Sequence, residues 1–187
     1  MKRLVVAAIY MALSLGAIPG DAGSNTATAL QDGDMRKLIF LDTPEAVSDV
    51  AFELADGAGQ GTLEAYRGKY VLLNFWATWC IPCLEEMPML SKLQTAFGGD
   101  DFEVLTIATG SNSPAGIVRF LADAGIENLP RHQDPEQNLA AEMGVFGLPT
   151  TVIIDPEGRE IARLIGNADW SSQSARAIIA ELIGANS

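Results

Sequence analysis

The sequence is poor in cysteine, histidine and basic residues. Its 187 residues include two cysteines and one histidine, and the formal net charge is −12. A nucleic-acid partner needs clustered lysine and arginine to replace the counterions of the phosphates, so the absence of such a cluster argues against this class of partner. An acidic balance of this kind is typical of a solvated surface, and we expect a monomer. The length suits one domain with a packed core.

The N-terminus has the pattern of an export signal. Lys2 and Arg3 precede an apolar run from Leu4 to Ile18, and small residues surround Ala22. This run has the length of a signal-peptide core and is short for a membrane span. We predict three segments: a signal peptide or N-terminal anchor (1–22), a flexible lead (23–35) and one domain (36–187). The protein is then periplasmic, either soluble after cleavage or tethered to the inner membrane.

Hydrophobic patterning predicts that strands and helices alternate. Tyr70 to Trp76 is almost continuously apolar, as in a strand buried on both faces. Cys80 to Phe97 has apolar residues at helical spacing, with Pro88 inside the helix. The other predicted elements are a strand pair (50–54 and 61–63), strands at 102–108, 129–132, 150–154 and 159–165, and helices at 113–124, 135–143 and 171–183. Together they predict an α/β domain with a mixed sheet between helices.

Both cysteines lie in NFWATWCIPCLEEMP, residues 74–88, where the buried strand passes into the helix. Cys80 would face the unpaired N–H groups and the positive end of the helix dipole, which lower the pKa of a thiol. Cys83 follows within disulfide reach, and Pro82 suits the first helical turn. The pattern predicts a redox pair in which Cys80 is the nucleophile and Cys83 the resolving thiol.

A structural disulfide and a metal site are the alternatives to a redox pair. A disulfide that closes such a short loop restrains the unfolded chain little, so it adds little stability. A tetrahedral thiolate site needs four ligands, but the chain has no second CxxC and its one histidine, His132, lies far from Cys83 in sequence. We therefore predict no bound metal. A copper-binding chaperone that uses the two thiols stays as the alternative from another class.

The same segment resembles the thioredoxin superfamily. The matching residues are Phe75, Trp76, Ala77, Trp79, Cys80, Pro82 and Cys83, the helix proline Pro88, and Pro149 in GLPTTVII at the position of the family's cis-proline. The resemblance implies a thioredoxin fold with an N-terminal strand pair and a βα insertion, within residues 111–143, before the cis-proline. It also implies a set of substrate-binding residues: Trp79, Ile81, Pro82, Leu148 and Pro149.

Within the superfamily, the chain is most similar to the exported reductases of the TlpA and ResA group, and to TlpA above all. Asn74 stands where cytosolic thioredoxins have a buried aspartate. Glu86, three residues after Cys83, matches the glutamate in the active site of this group. The resemblance implies that Glu86 is catalytic and accepts the proton of Cys83, directly or through water.

The resemblance further implies a protein disulfide reductase with no cofactor beyond the Cys80–Cys83 disulfide. The implied clients are proteins of cytochrome c or cytochrome oxidase biogenesis, namely apocytochrome c or copper-site assembly proteins. A membrane thiol donor of the DsbD or CcdA type would restore the reduced pair. The alternative is an oxidase that donates disulfides. Only the reduction potential of the cysteine pair distinguishes such an oxidase from a reductase.

Overall fold

The computed structural model describes residues 26–184, so the predicted signal segment (1–22) lies outside the described residues. The strands are β1 (Ile39–Ala46), β2 (Phe52–Glu53), β3 (Gln60–Gly61), β4 (Tyr70–Trp76), β5 (Phe102–Thr109), β6 (His132–Asp134), β7 (Thr150–Ile154) and β8 (Arg159–Ile165). The α-helices are α1 (Ile81–Phe97), α2 (Pro114–Asp123), α3 (Asn138–Glu142) and α4 (Gln173–Leu182). Short 3₁₀ helices span Gly33–Lys37, Ala55–Gly57 and Leu63–Tyr66.

The strands form one mixed sheet in the order β1-β8-β7-β4-β5-β6-β2-β3. Strand β4 lies in its middle, parallel to β5 and antiparallel to β7. The strand pair β2–β3 joins the sheet through β6. Between β5 and β7 the chain forms α2, β6 and α3, so the β6–α3 unit is the predicted βα insertion. The predicted α/β architecture is confirmed.

Side chains of β4 alternate between the two faces of the sheet. Leu72 and Trp76 pack in a cluster with α1, α2 and α4, whereas Val71, Leu73 and Phe75 pack in a second cluster with α3. Because strand side chains alternate with a period of two, Asn74 points to the same face as Leu72 and Trp76. The central strand thus directs one polar side chain toward α1.

Strand β1 is an element that the hydrophobic pattern does not predict. Its sequence, IFLDTPEA, contains Asp42 and Pro44, and none of its residues is fully buried. It forms the edge of the sheet and pairs only with β8. An edge strand tolerates a proline, and this one has no clear alternation of apolar and polar residues. For this reason the hydrophobic pattern does not predict β1.

The N-terminal segment, residues 26–38, packs on the domain. Ala27, Met35 and Leu38 are buried in the main hydrophobic cluster. The Asp32 N–H donates to Ser174 Oγ at 2.9 Å, which ties the segment to α4. The folded domain therefore includes residues 26–35, which the sequence assigned to a flexible lead.

The βα insertion also differs in detail from its prediction. The strand expected at 129–132 is β6, Asp134 ends it, and the helix expected at 135–143 is reduced to α3. The carboxylate of Asp134 accepts hydrogen bonds from the N–H groups of Asn138 and Ala140, which fixes the start of α3. In residues 26–184 no helix combines the length and the apolar character needed to cross a membrane.

Candidate active site

The two cysteines form a disulfide at the start of α1. Cys80 is the N-cap residue, and its sulfur accepts a hydrogen bond from the Cys83 N–H at 3.3 Å. Cys80 is 6% exposed and Cys83 is 0% exposed. In the reduced protein the same N–H and the helix dipole favour a thiolate on Cys80. Cys80 is therefore the more accessible of the two cysteines.

The loop between β4 and α1 is held by Asn112. Both the N–H and the hydroxyl of Thr78 donate to Asn112 Oδ1, at 2.8 and 3.0 Å. Asn112 Nδ2 in turn donates to the carbonyl of Thr109, where β5 ends, at 2.9 Å. Sequence reasoning missed Asn112. One feature of the sequence could have indicated it. Asn112 follows the predicted strand that became β5, and β5 is parallel to β4, so the carboxyl ends of the two strands lie side by side.

The Leu148–Pro149 peptide bond is cis, as predicted. Thr150 lies opposite Phe75 in the β4–β7 register, so Leu148 and Pro149 lie at the end of the sheet where β4 leads into Cys80. Pro149 is buried and Leu148 is half-buried. The cis-proline turn and the disulfide therefore share one end of the molecule.

Large apolar side chains are exposed next to Cys80 and shortly before the cis-proline. Trp79 is 63% exposed, Ile81 is 70% exposed and Phe146, two residues before Leu148, is 97% exposed. We call these three residues the apolar rim. Pro82 is half-buried inside the first turn of α1. Sequence reasoning found Trp79 and Ile81 and missed Phe146, since a lone phenylalanine in a loop carries no sign of its exposure.

Glu86 is fully buried between α1 and the sheet. Asn74 Nδ2 donates to Glu86 Oε1 at 2.7 Å and to Thr151 Oγ1 at 3.0 Å. Burial raises the pKa of Glu86 to about 7, although the nearby N–H groups and the charge of Lys37 partly offset this rise. Glu86 lies one helical turn after Cys83, on the same side of α1. A carboxyl with this pKa can take up or release a proton near neutral pH.

His132 does not join the two thiols. The N–H of Ala55 donates to His132 Nδ1 at 3.0 Å, and Nε2 lies 3.3 Å from the hydroxyl of Tyr66. His132 lies on β6, and β5 separates that strand from β4. Within residues 26–184, no three His, Cys, Asp or Glu side chains are grouped so that they could hold a metal ion.

Comparison with known proteins assigns the chain to a family. The model of the AhpC/TSA family matches residues 46–161, which is more than half of the chain. The chain belongs to the AhpC/TSA family.

Two curated relatives of this AhpC/TSA chain come from Bacillus subtilis strain 168. The thioredoxin-like protein YneN is 32% identical over 66% of this chain and 71% of its own length. The thiol-disulfide oxidoreductase ResA is 33% identical over 62% of this chain and 64% of its own length.

A solved structure extends the comparison to the fold. A protein of Chlorobium tepidum, described as a DsbE-type thiol:disulfide interchange protein, aligns with 77% of this chain and 99% of its own at a TM-score of 0.66 and 26% identity. The predicted thioredoxin fold is thereby confirmed. The fold, the family and the disulfide at the start of α1 identify the chain as a thioredoxin-like thiol:disulfide oxidoreductase.

Proposed function

We propose that this protein is an exported protein disulfide reductase. The observation that carries the proposal is the Cys80–Cys83 disulfide at the N-terminus of α1, with Cys80 partly accessible and Cys83 buried. The cis-Pro149 turn and the apolar rim at the same end supply a surface for an extended client chain. Trp79, Ile81, Pro82, Leu148 and Pro149 are the proposed contacts for that chain.

In the first step the Cys80 thiolate attacks one sulfur of a client disulfide. A mixed disulfide between Cys80 and the client forms, and the other client sulfur leaves as a thiolate. The helix N-terminus lowers the pKa of the Cys80 thiol, so the reactive form is present near neutral pH. One client sulfur is now a free thiolate, the other is bonded to Cys80 Sγ, and Cys83 remains a thiol.

In the second step Cys83 must lose its proton before it attacks. Glu86, ionised in part near neutral pH, takes that proton, directly or through water. The Cys83 thiolate then attacks Cys80 Sγ, the Cys80–Cys83 disulfide forms, and the second client thiolate leaves. The client gains two electrons and the protein is oxidised. A membrane thiol donor of the DsbD or CcdA type resets the pair.

The surroundings of Cys83 favour the reductase direction. A thiol at a fully buried site is hard to ionise, and a carboxylate one turn away repels a thiolate. Both effects disfavour a thiolate on Cys83, so they oppose the stabilisation that the helix N-terminus gives to the thiolate of Cys80. Strong oxidants of this fold have a strongly stabilised reduced form. We propose that the surroundings of Cys83 outweigh the effect on Cys80, so that the protein gives electrons away.

The clients are proposed from the family resemblance. A reductase in an oxidising compartment is needed wherever cysteines must be kept free to bind haem or copper. We therefore propose apocytochrome c or copper-site assembly proteins as clients. Export rests on the sequence of residues 1–22, and the proposed location is the periplasm, with or without a membrane tether.

The direction is tested by the reduction potential of the Cys80–Cys83 pair. Proteins of this fold span roughly −270 to −120 mV, and we expect a value well below about −200 mV. Equilibration with glutathione or dithiothreitol buffers, read by the fraction of free thiols, gives the number. A value near about −120 mV would reverse the direction and make the protein a disulfide-donating oxidase.

The clients are tested by trapping in the native compartment. Cys83→Ala leaves the mixed disulfide unresolved, so client proteins should accumulate on Cys80. Cys80→Ala is the matched control, because its remaining thiol is buried and should capture no client. Captured proteins without haem- or copper-binding cysteines would overturn the client assignment. Equal capture by both variants would overturn the roles of the two cysteines.

A further inference from the structure

Glu86 and two residues that act on its carboxyl, Asn74 and Trp170, each have one buried polar atom without a hydrogen-bond partner. Across residues 26–184 the buried side-chain atoms in this condition are Asn74 Oδ1, Glu86 Oε2 and Trp170 Nε1. Asn74 binds the other oxygen of Glu86, and the indole N–H of Trp170 acts on the same carboxyl. Leaving a polar group unpaired in the interior is unfavourable, so a free acceptor on Glu86 and a free indole donor that acts on the same carboxyl require an explanation.

The free donor on Trp170 and the free acceptor on Glu86 match the ionised state of the carboxyl. An ionised carboxylate only accepts hydrogen bonds, and the indole N–H of Trp170 only donates. Asn74 acts in the same direction, since its Nδ2 donates to Glu86 Oε1 and this bond lowers the pKa of Glu86. Trp170 therefore suits the ionised state, at the oxygen that Asn74 does not bind.

We propose that Trp170 is a positioning residue for the exchange reaction, in which its indole N–H stabilises ionised Glu86 at the carboxylate oxygen that Asn74 leaves free. This inference rests on the proposed role of Glu86 as the proton acceptor for Cys83. Trp170 contacts neither sulfur in this scheme. It acts by making the carboxylate available at the moment when Cys83 must be deprotonated.

The loop that carries Trp170 is fixed by the N-terminal segment. Lys37 Nζ donates to the carbonyl of Asn167 at 2.7 Å, and the N–H of Asp169 donates to Asp34 Oδ2 at 3.2 Å. Lys37 and Asp34 also pair with each other at 2.9 Å. Within the described residues, Lys37 is the charged group whose field acts on Glu86, and it favours the ionised form. The charge of Lys37 and the indole N–H of Trp170 therefore both lower the pKa of Glu86.

The test is the titration of Glu86 in Trp170→Phe. Phenylalanine keeps an aromatic ring at this buried position and removes the N–H. The carboxyl signal of Glu86 is followed by carbon-13 NMR in the oxidised protein, in which the cysteines do not titrate. We expect the midpoint to move upward by about one pH unit, the size of one lost hydrogen bond to a charged group.

Trp76→Phe is the matched control. Trp76 is as buried as Trp170, packs against Phe120 and belongs to the same hydrophobic cluster. Its replacement removes the same atoms from the core, so a general loosening of the core would shift Glu86 in both variants. An equal shift in both, or no shift in Trp170→Phe, overturns the inference.

A surface variant keeps the test decisive if Trp170→Phe does not fold. Lys37→Gln removes a partly exposed charge that favours ionised Glu86 and binds the loop of Trp170, so the midpoint should move upward, and an unchanged midpoint would overturn the inference. The pH profile of the second exchange step separates this inference from the proposed function. A shifted Glu86 midpoint with an unshifted exchange profile refutes Glu86 as the proton acceptor, although Trp170 is coupled to it. A shift in both supports the inference.

Discussion

Glu85 and Glu86 are adjacent in sequence and differ completely in environment. Glu85 is exposed, whereas Glu86 is fully buried against Asn74. One residue turns a helix by about 100°, so two neighbours cannot face the same side. Sequence alone separates them only through the resemblance to a family with a glutamate at this position. The burial that raises the pKa of Glu86 comes from residues far along the chain, which no local pattern contains.

Phe146 offers a test of client docking at the level of one side chain. It is almost fully exposed beside the cis-proline turn, so its replacement should not destabilise the fold. If it contacts the client, Phe146→Ser should lower kcat/KM for a protein disulfide several-fold and leave the rate with a small disulfide such as oxidised glutathione unchanged. Val118→Ser, which removes a partly exposed apolar side chain on α2, is the control. Equal losses with both substrates would exclude a docking role.

The elements that form the site were largely predictable, because their signals are local. Strand β4 has the predicted bounds, and α1 begins one residue after its predicted start. Both carry long apolar patterns, and Cys80 and Pro82 mark the helix start. The N-terminal segment was not predictable in the same way. Its composition is small and polar, and its partners, such as Ser174, lie more than a hundred residues away.

Met35 tests whether the N-terminal segment is part of the folded domain. Its side chain is fully buried, so Met35→Ala should lower the free energy of unfolding by about 2–5 kcal/mol, the usual range for such a truncation in a core. Arg36→Ala, next to it but exposed, should change stability by less than about 0.5 kcal/mol. Urea unfolding of both variants gives the values. Equal, small effects would mean that the segment is a flexible lead.

On the scale of the whole molecule, the fold concentrates distant residues around one carboxyl. Glu86 is on α1, while Asn74 is on β4, Thr151 on β7 and Trp170 just before α4. Patterning predicted the α/β class and the order of these elements, and the resemblance supplied the two cysteines and Glu86 as a set. It could not supply Trp170 or Lys37. Their relation to Glu86 depends on how the N-terminal segment and the loop before α4 pack together.

The buried carboxyl should make the stability of the whole protein depend on pH. The pKa of Glu86 is raised from 4.5 to about 7 in the fold, so the folded protein binds this proton more tightly than the unfolded chain. The stabilisation is present in full below a pH of about 4.5 and is lost as the pH rises through about 7. A shift of this size corresponds to about 3 kcal/mol.

Glu86→Gln isolates this contribution, because glutamine does not titrate and every other ionisable group is common to both proteins. We compare the free energies of unfolding of the two oxidised proteins in urea at several pH values. Between about pH 5 and about pH 8, wild type should lose about 2.5 kcal/mol relative to Glu86→Gln. A difference that stays constant over this range would mean that Glu86 is already ionised at pH 5. Such a carboxylate would have a weak affinity for the proton of Cys83, so the result would also count against its role in the second exchange step.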